Sequence, residues 1–213
     1  MLARLFAEGN PPWRLKGAYA LELKLQTARA TKDVDLGLAA APARSVGADR
    51  SADSLLDVLQ AAAARDLSDF FVFLIGEPTL ELDAPYGGAR YPVEAALDGR
   101  TFAKFHLDVG IGDMQGEPAE VVTPRDWLGF AGIAAPAFPS ISREEHFAEK
   151  LHAYTLPRTG QPNSRVKDLI DLVLLMETGA LNPERLRNAV RDTFSRRGTH
   201  ELPIVLEPPP TFW

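Results

Sequence analysis

Lys32-Asp33-Val34-Asp35-Leu36-Gly37-Leu38 is the stretch on which the fold and the chemistry of this chain turn. From Asp33 onward the residues alternate, with Asp33, Asp35 and Gly37 on one side and Val34, Leu36 and Leu38 on the other. A strand with one buried face has this period of two, and it points both carboxylates the same way. A second such pattern runs over residues 101–109, where Ala103, Phe105, Leu107 and Val109 make the apolar face and Lys104, His106 and Asp108 the other. Asp98-Gly99 joins it to residues 91–97 as a hairpin, because both turn residues tolerate positive φ. Asp108 therefore ends a strand, and an adjacent strand can bring it within a few ångströms of Asp33 and Asp35. Three convergent carboxylates offer hard oxygen ligands to Mg²⁺ and can bridge two ions, whereas left alone they repel one another. Cations or cleft solvent must compensate them. On spacing alone, ordinary solvent-facing acids remain an equal alternative.

Around these strands the pattern is mixed. A short helical fragment precedes Gly9 and Pro12, residues 13–17 read as a strand, and residues 18–28 read as a helix with Ala18, Leu21 and Leu25 inward and Glu22 and Lys24 more exposed. Residues 39–50 read as a loop, Ser51 caps a helix carrying Leu55, Leu56 and Leu59, and Phe70-Phe-Val-Phe-Leu-Ile75 is a strand. A weaker strand is expected around Leu80. Residues 110–140 read mostly as loop, with Trp127 to Phe130 as a local anchor.

The texture then becomes helical. Ser142 and Glu145 have the form of a capping box ahead of a helix with Phe147, Leu151 and Tyr154 inward. Residues 165–176 place Leu169, Leu172, Val173 and Met176 at helical spacing, and Asn182-Pro183 opens a third helix that ends near Gly198. An α/β part over residues 1–138 and a helical part over 139–213 are expected. The tail from Leu206 to Trp213 stops in apolar residues, as a truncated product or one lacking a further helix would.

Composition narrows the functional classes. The chain has 213 residues, a net charge of −6 and no cysteine. Cysteine catalysis, disulfides and thiolate metal sites are excluded, and no run of residues is long enough and apolar enough for a membrane span. The composition fits a reducing compartment, so the cytoplasm is the expected location. The acidic balance gives no general attraction to phosphate backbones, so any nucleic acid must meet a local basic patch. Arg185, Arg187, Arg191, Arg196 and Arg197 outnumber Glu184 and Asp192 on the last helix and are candidate RNA-binding residues, although a solvated helix face explains them equally. No Gly-x-Ser-x-Gly elbow, P-loop or complete dinucleotide-binding glycine pattern is present.

Lys16-Gly17-Ala18 stands where a helix start can turn backbone N–H groups toward phosphate, though Gly17 serves an ordinary tight turn as well. Lys150 can reach phosphate, and Arg158, in a loop formed by Pro157, Gly160 and Pro162, can contact it in bidentate fashion. Both also suit a solvated surface. Asp168 and Asp171 lie three apart on one helix face and can orient Lys150 or Arg158, or belong to a plain ion-pair network. His106 and His146 complete no metal motif and read as structural or surface residues.

Taken in order, Leu15-Lys-Gly-Ala-Tyr-Ala-Leu21, Arg29-Ala-Thr-Lys-Asp-Val-Asp35, Leu107-Asp-Val109, His146-Phe-Ala-Glu-Lys-Leu-His-Ala-Tyr154, Arg158 and Arg165-Val-Lys-Asp-Leu-Ile-Asp-Leu172 resemble the AbiEii/AbiGii-like nucleotidyltransferase toxin family. Its members look like DNA polymerase β in their catalytic core and occur in abortive-infection or type IV toxin–antitoxin systems. The resemblance implies an α+β fold, a polymerase-β-like nucleotidyltransferase core with a mixed β-sheet followed by a helical C-terminal region that completes the cleft. It implies metal binding by Asp33, Asp35 and Asp108, with two Mg²⁺ ions and an NTP as substrate. It implies nucleotide recognition by Lys16, Gly17, Ala18 and Thr31, phosphate or active-site roles for Lys150 and Arg158, and a later acidic motif at Asp168 or Asp171. The family usually has two glycines where this chain has Gly17-Ala18. The expected activity is transfer of NMP to an acceptor hydroxyl, with the tRNA 3′ end as the leading acceptor and a cognate antitoxin as a partner. Nucleotidylation of a protein or small molecule, and a silent nucleotide-binding or protein-interaction module, are the alternatives.

Overall fold

The computed structural model describes residues 1–7, 11–26, 31–38, 51–112, 119–158, 160, 162–178 and 181–211. Eight strands form one mixed sheet: β1 (Trp13–Lys16), β2 (Val34–Leu38), β3 (Phe71–Ile75), β4 (Leu80–Glu81), β5 (Gly88–Leu97), β6 (Arg100–Ile111), β7 (Glu120–Val122) and β8 (Phe138–Ser140). Their order is β3-β5-β6-β2-β1-β8-β7, with β4 also on β5. β2 runs parallel to β6 and antiparallel to β1, so the strand quoted at the outset sits in the middle of the sheet.

The apolar halves of the alternating patterns do what a period of two requires. Leu36, Leu38, Leu107, Val109, Tyr91 and Val93 turn to one face, where α1 (Leu2–Leu5) and α3 (Ser51–Ala63) cover them with Leu2, Leu5, Leu55 and Leu59. Arg4 fastens this layer. Its buried guanidinium donates to both carboxylate oxygens of Asp69 at 2.8 and 2.6 Å and to the carbonyls of Arg65 and Phe71.

The hairpin turn is as expected, with φ of 50° at Asp98 and 72° at Gly99. Its strands are longer than the pattern indicated, and Phe102 is left out of the pairing because the register shifts between Ala95 and Ala96. β7 and β8 lie inside the segment read as loop; each is three residues long, too short for alternation to show. Trp127 and Phe130 anchor nothing: they are 71 % and 90 % exposed around a 3₁₀ turn over Gly129–Ala131.

The helical part comprises α4 (Arg143–Thr155), α5 (Val166–Thr178) and α6 (Pro183–Arg197). Ser142 and Glu145 close the expected capping box, and the Asn182 side chain accepts from the N–H groups of Glu184 and Arg185. Ala148, Leu151, Tyr154, Leu172, Ala189, Val190 and Phe194 form a second core. α5 is rotated from its expected face: Asp168, Asp171, Leu172 and Leu175 point inward, while Val173 and Met176 are exposed. α2 (Gly17–Leu25) starts one residue early and ends at Gln26 in a left-handed conformation. Lys24 on it is buried rather than exposed; its ammonium meets Glu120 at 2.9 Å and donates to the Ile141 carbonyl. The expected loop over 39–50, residues 27–30 and the last two residues lie outside the described residues.

Candidate active site

A single row of side chains crosses four strands of the sheet. Lys16 on β1 pairs with Asp35 on β2, Asp35 with Asp108 on β6, and Asp108 with Arg90 on β5. The row reads cation, acid, acid, cation. Arg90 donates from Nε and Nη2 to the two oxygens of Asp108 at 2.8 and 2.7 Å, a fork of the kind that holds a carboxylate in one orientation. One step along, Nδ1 of His106 lies 3.2 Å from Oδ1 of Asp33. Two of the three expected acids, Asp35 and Asp108, thus stand side by side in register, while Asp33 lies one step away beside His106, and the charge of the pair is met first by the protein's own cations.

Asp35 stands between Lys16 and Asp108 in the row. Burial pushes its pKa up to about 6, Lys16 and Lys150 pull it down, and Asp108 and Glu149 raise it again. Gly17 explains how the side chain fits: a Cβ there would collide with the Asp35 carboxylate, and the backbone has φ of 67°. Glycine is required on both counts. Ala18, half-buried, is the second residue of α2.

The helical part closes on this row through α4. Lys16 Nζ meets Glu149 at 3.3 Å. The next residue, Lys150, lies between the inward acids of α5, 3.0 Å from Asp168 and 2.7 Å from Asp171. Burial opposes its charge, but the two carboxylates more than offset this and raise the ammonium pKa. Arg165 joins Asp168 at 3.5 Å. His146, one turn before Lys150, is fully buried, and burial with the nearby Lys24, Lys150 and Lys16 charges holds it well below its ordinary pKa as a neutral ring.

The remaining candidates are more dispersed. Thr31 Oγ1 accepts from the Asp33 N–H at 3.4 Å, and both residues line a cavity of 610 Å³ with Tyr19, Lys104, Phe105 and Phe138. Arg158 donates to Ser164 at 3.2 Å in the loop after α4. Arg185, Arg187 and Arg191 are exposed on α6, Arg196 and Arg197 half-buried, with Arg197 donating to the Asp83 carbonyl at 3.2 Å. A 730 Å³ cavity beside Phe147, Val190 and Phe194 is edged by Arg187 and Arg191, on α6 and apart from the acidic row.

Arg90 is the residue that pattern reading misses. A regular two-residue hairpin pairing Leu97 with Arg100 would put Arg90 opposite Leu107; the bulge at Phe102 moves it opposite Asp108.

The acidic row suits hard divalent cations by its donor chemistry, carboxylate oxygens on adjacent strands above a cradle that a Cβ would fill. In this arrangement, among the described residues, no three acid or histidine side chains already stand as a ligand set.

A family model described as "Nucleotidyl transferase AbiEii toxin, Type IV TA system" matches residues 1–211. The chain belongs to this AbiEii family. Its enzymatic class is thereby nucleotidyl transfer, and the expected α+β architecture is the one observed. JHP933 from Helicobacter pylori has a similar fold, with a TM-score of 0.51 at 19 % identity over 92 % of this chain and 71 % of that one. The nucleotidyltransferase toxin MenT4, Rv2826c of Mycobacterium tuberculosis H37Rv, gives 0.50 at 12 % identity over 92 % and 87 %. No curated protein matches the sequence significantly. Among the described residues, no helix of this AbiEii chain is long and apolar enough to cross a membrane.

Proposed function

We propose that this AbiEii-family chain transfers NMP from an NTP to an acceptor hydroxyl, at the tRNA 3′ end, in the cytoplasm, with two Mg²⁺ ions held by Asp33, Asp35 and Asp108. The observation that carries this reading is the in-register Lys16–Asp35–Asp108 row with Gly17 against it and Lys150 nearby. When bound, the cations would supply Lewis-acid stabilisation of charge on the reacting phosphate.

The protein's own groups do the rest. Gly17 leaves the α2 N-terminus open beside Asp35, where backbone N–H groups favour phosphate oxygens. Lys16 and Lys150 bring positive charge to the same place, and Asp168 and Asp171 hold Lys150 in position. Ala18 stands beside the phosphates, and Arg158 takes a phosphate oxygen from the loop after α4. Thr31, in the cavity beside Asp33 with Tyr19 and Phe105, offers surface for the nucleoside. The acceptor oxygen attacks the α-phosphorus, the bond to the bridging oxygen breaks, pyrophosphate leaves and the hydroxyl proton passes to solvent.

The exposed arginines of α6, Arg185, Arg187 and Arg191, with Arg196 and Arg197 behind them, favour an RNA acceptor despite the net charge of −6. A cognate antitoxin is the proposed partner, in keeping with the type IV system that the family description names. Incubation with each α-labelled NTP, Mg²⁺, total tRNA and cell protein tests the reading. Label in tRNA is the expected result; label confined to protein, or binding without product, would contradict it.

A further inference from the structure

The Arg90 fork takes up the same two Asp108 oxygens that a divalent cation at Asp108 would use. Arg90 is drawn from β5, outside every sequence fragment that marked the site, and reaches Asp108 only because Phe102 bulges out of the hairpin. A guanidinium and a dication cannot share one carboxylate without strong repulsion at such separations. The Arg90 side chain is 32 % exposed and that of Asp108 12 %, so the arginine sits at the solvent edge of the row and the acid beneath it. Swinging outward, Arg90 would keep its charge beside the row, where the proposed triphosphate would lie.

We propose that Arg90 is a resident counter-ion that makes cation binding at Asp108 depend on nucleotide, releasing Asp108 when a triphosphate offers the guanidinium new oxygens. This rests on the nucleotidyltransferase reading above and adds to it a positioning residue with a gating role. Two consequences follow from reciprocity of linkage. Cation alone binds weakly because it must displace Arg90, and nucleotide and cation each tighten the other. Arg90 also neutralises Asp108 within the row.

The test compares wild type, Arg90→Gln and Arg90→Lys, each checked for folding by circular dichroism. Mn²⁺ affinity is measured by electron paramagnetic resonance without nucleotide, and the α,β-methylene analogues of the four common NTPs are titrated calorimetrically in saturating Mn²⁺. Arg90→Gln is expected to bind Mn²⁺ alone about 10-fold tighter than wild type and the best analogue about 10-fold more weakly. Arg90→Lys should fall between, since it keeps a charge but not the fork. Mn²⁺ affinity that is unchanged or lower in Arg90→Gln would overturn the gating role, as would undiminished analogue affinity. If wild type binds no Mn²⁺ even with an analogue, the metal reading of the whole site falls, and this inference with it.

Discussion

Gly17 is the residue whose replacement is most informative, because one methyl group tests both conformation and contact. Gly17→Ala forces a left-handed φ on alanine and drives its Cβ into the Asp35 carboxylate. Transfer should fall at least about 100-fold while stability drops by about 1–3 kcal/mol, measured by NTP turnover and urea denaturation. The sequence marked Gly17 as a tight place but not the reason, since the contact is made by a residue eighteen positions later. Asp35 carries a pH signature. Its folded pKa of about 6 lies above the ordinary 3.8, so the ionised carboxylate opposes folding. That cost is absent below about pH 4, builds as pH rises to 6 and is complete above it. Asp35→Asn should therefore stabilise the fold by about 1–3 kcal/mol at pH 7 and have little effect at pH 4. An equal effect at both pH values would count against burial as the source of the shift. Arg90 illustrates the opposite limit of legibility: it lies before the strand read over residues 91–97, and its partner depends on a bulge that no local pattern announces.

At the level of elements, α4 and α5 are joined by one lysine between two acids. Lys150→Met leaves Asp168 and Asp171 buried without that cation and should cost about 3–5 kcal/mol, read from urea melts. Adding Asp171→Asn should recover part of the loss, by 1 kcal/mol or so, because the pair is coupled; strict additivity would show that the acids do not share Lys150. The spacing of Asp168 and Asp171 was visible in the sequence. Their inward direction was not, because Val173 and Met176 mimic a buried stripe yet remain exposed. The long, strongly patterned elements were legible: β2, the β5–β6 hairpin, and the caps of α4 and α6. β7 and β8 were not, since three-residue strands owe their existence to a neighbour's unpaired edge rather than to their own composition. Lys24 was misplaced for a related reason. Its burial is set by Glu120 on β7, nearly a hundred residues away.

Across the whole molecule, an acidic protein is expected to bind RNA only where its cations are gathered. Arg187→Glu with Arg191→Glu should weaken tRNA binding about 10-fold or more at low salt and reduce the steepness of its salt dependence by about 2, with thermal stability unchanged. Equal salt slopes would place the RNA elsewhere. The two cores, one between the sheet and α1 and α3, the other among α4 to α6, meet where Lys16 and Asp35 face Glu149 and Lys150. The proposed site of nucleotidyl transfer is this meeting place of the two parts of the chain. The most direct measurement uses NTP labelled at either the α or the γ phosphate, with tRNA and Mg²⁺, for wild type and Asp108→Asn. Wild type should pass the α label to the acceptor and leave the γ label in pyrophosphate, and Asp108→Asn should lose at least 100-fold of this rate, or about 2.7 kcal/mol of barrier lowering. Label from the γ position on the acceptor, or a variant as active as wild type, would contradict the assignment.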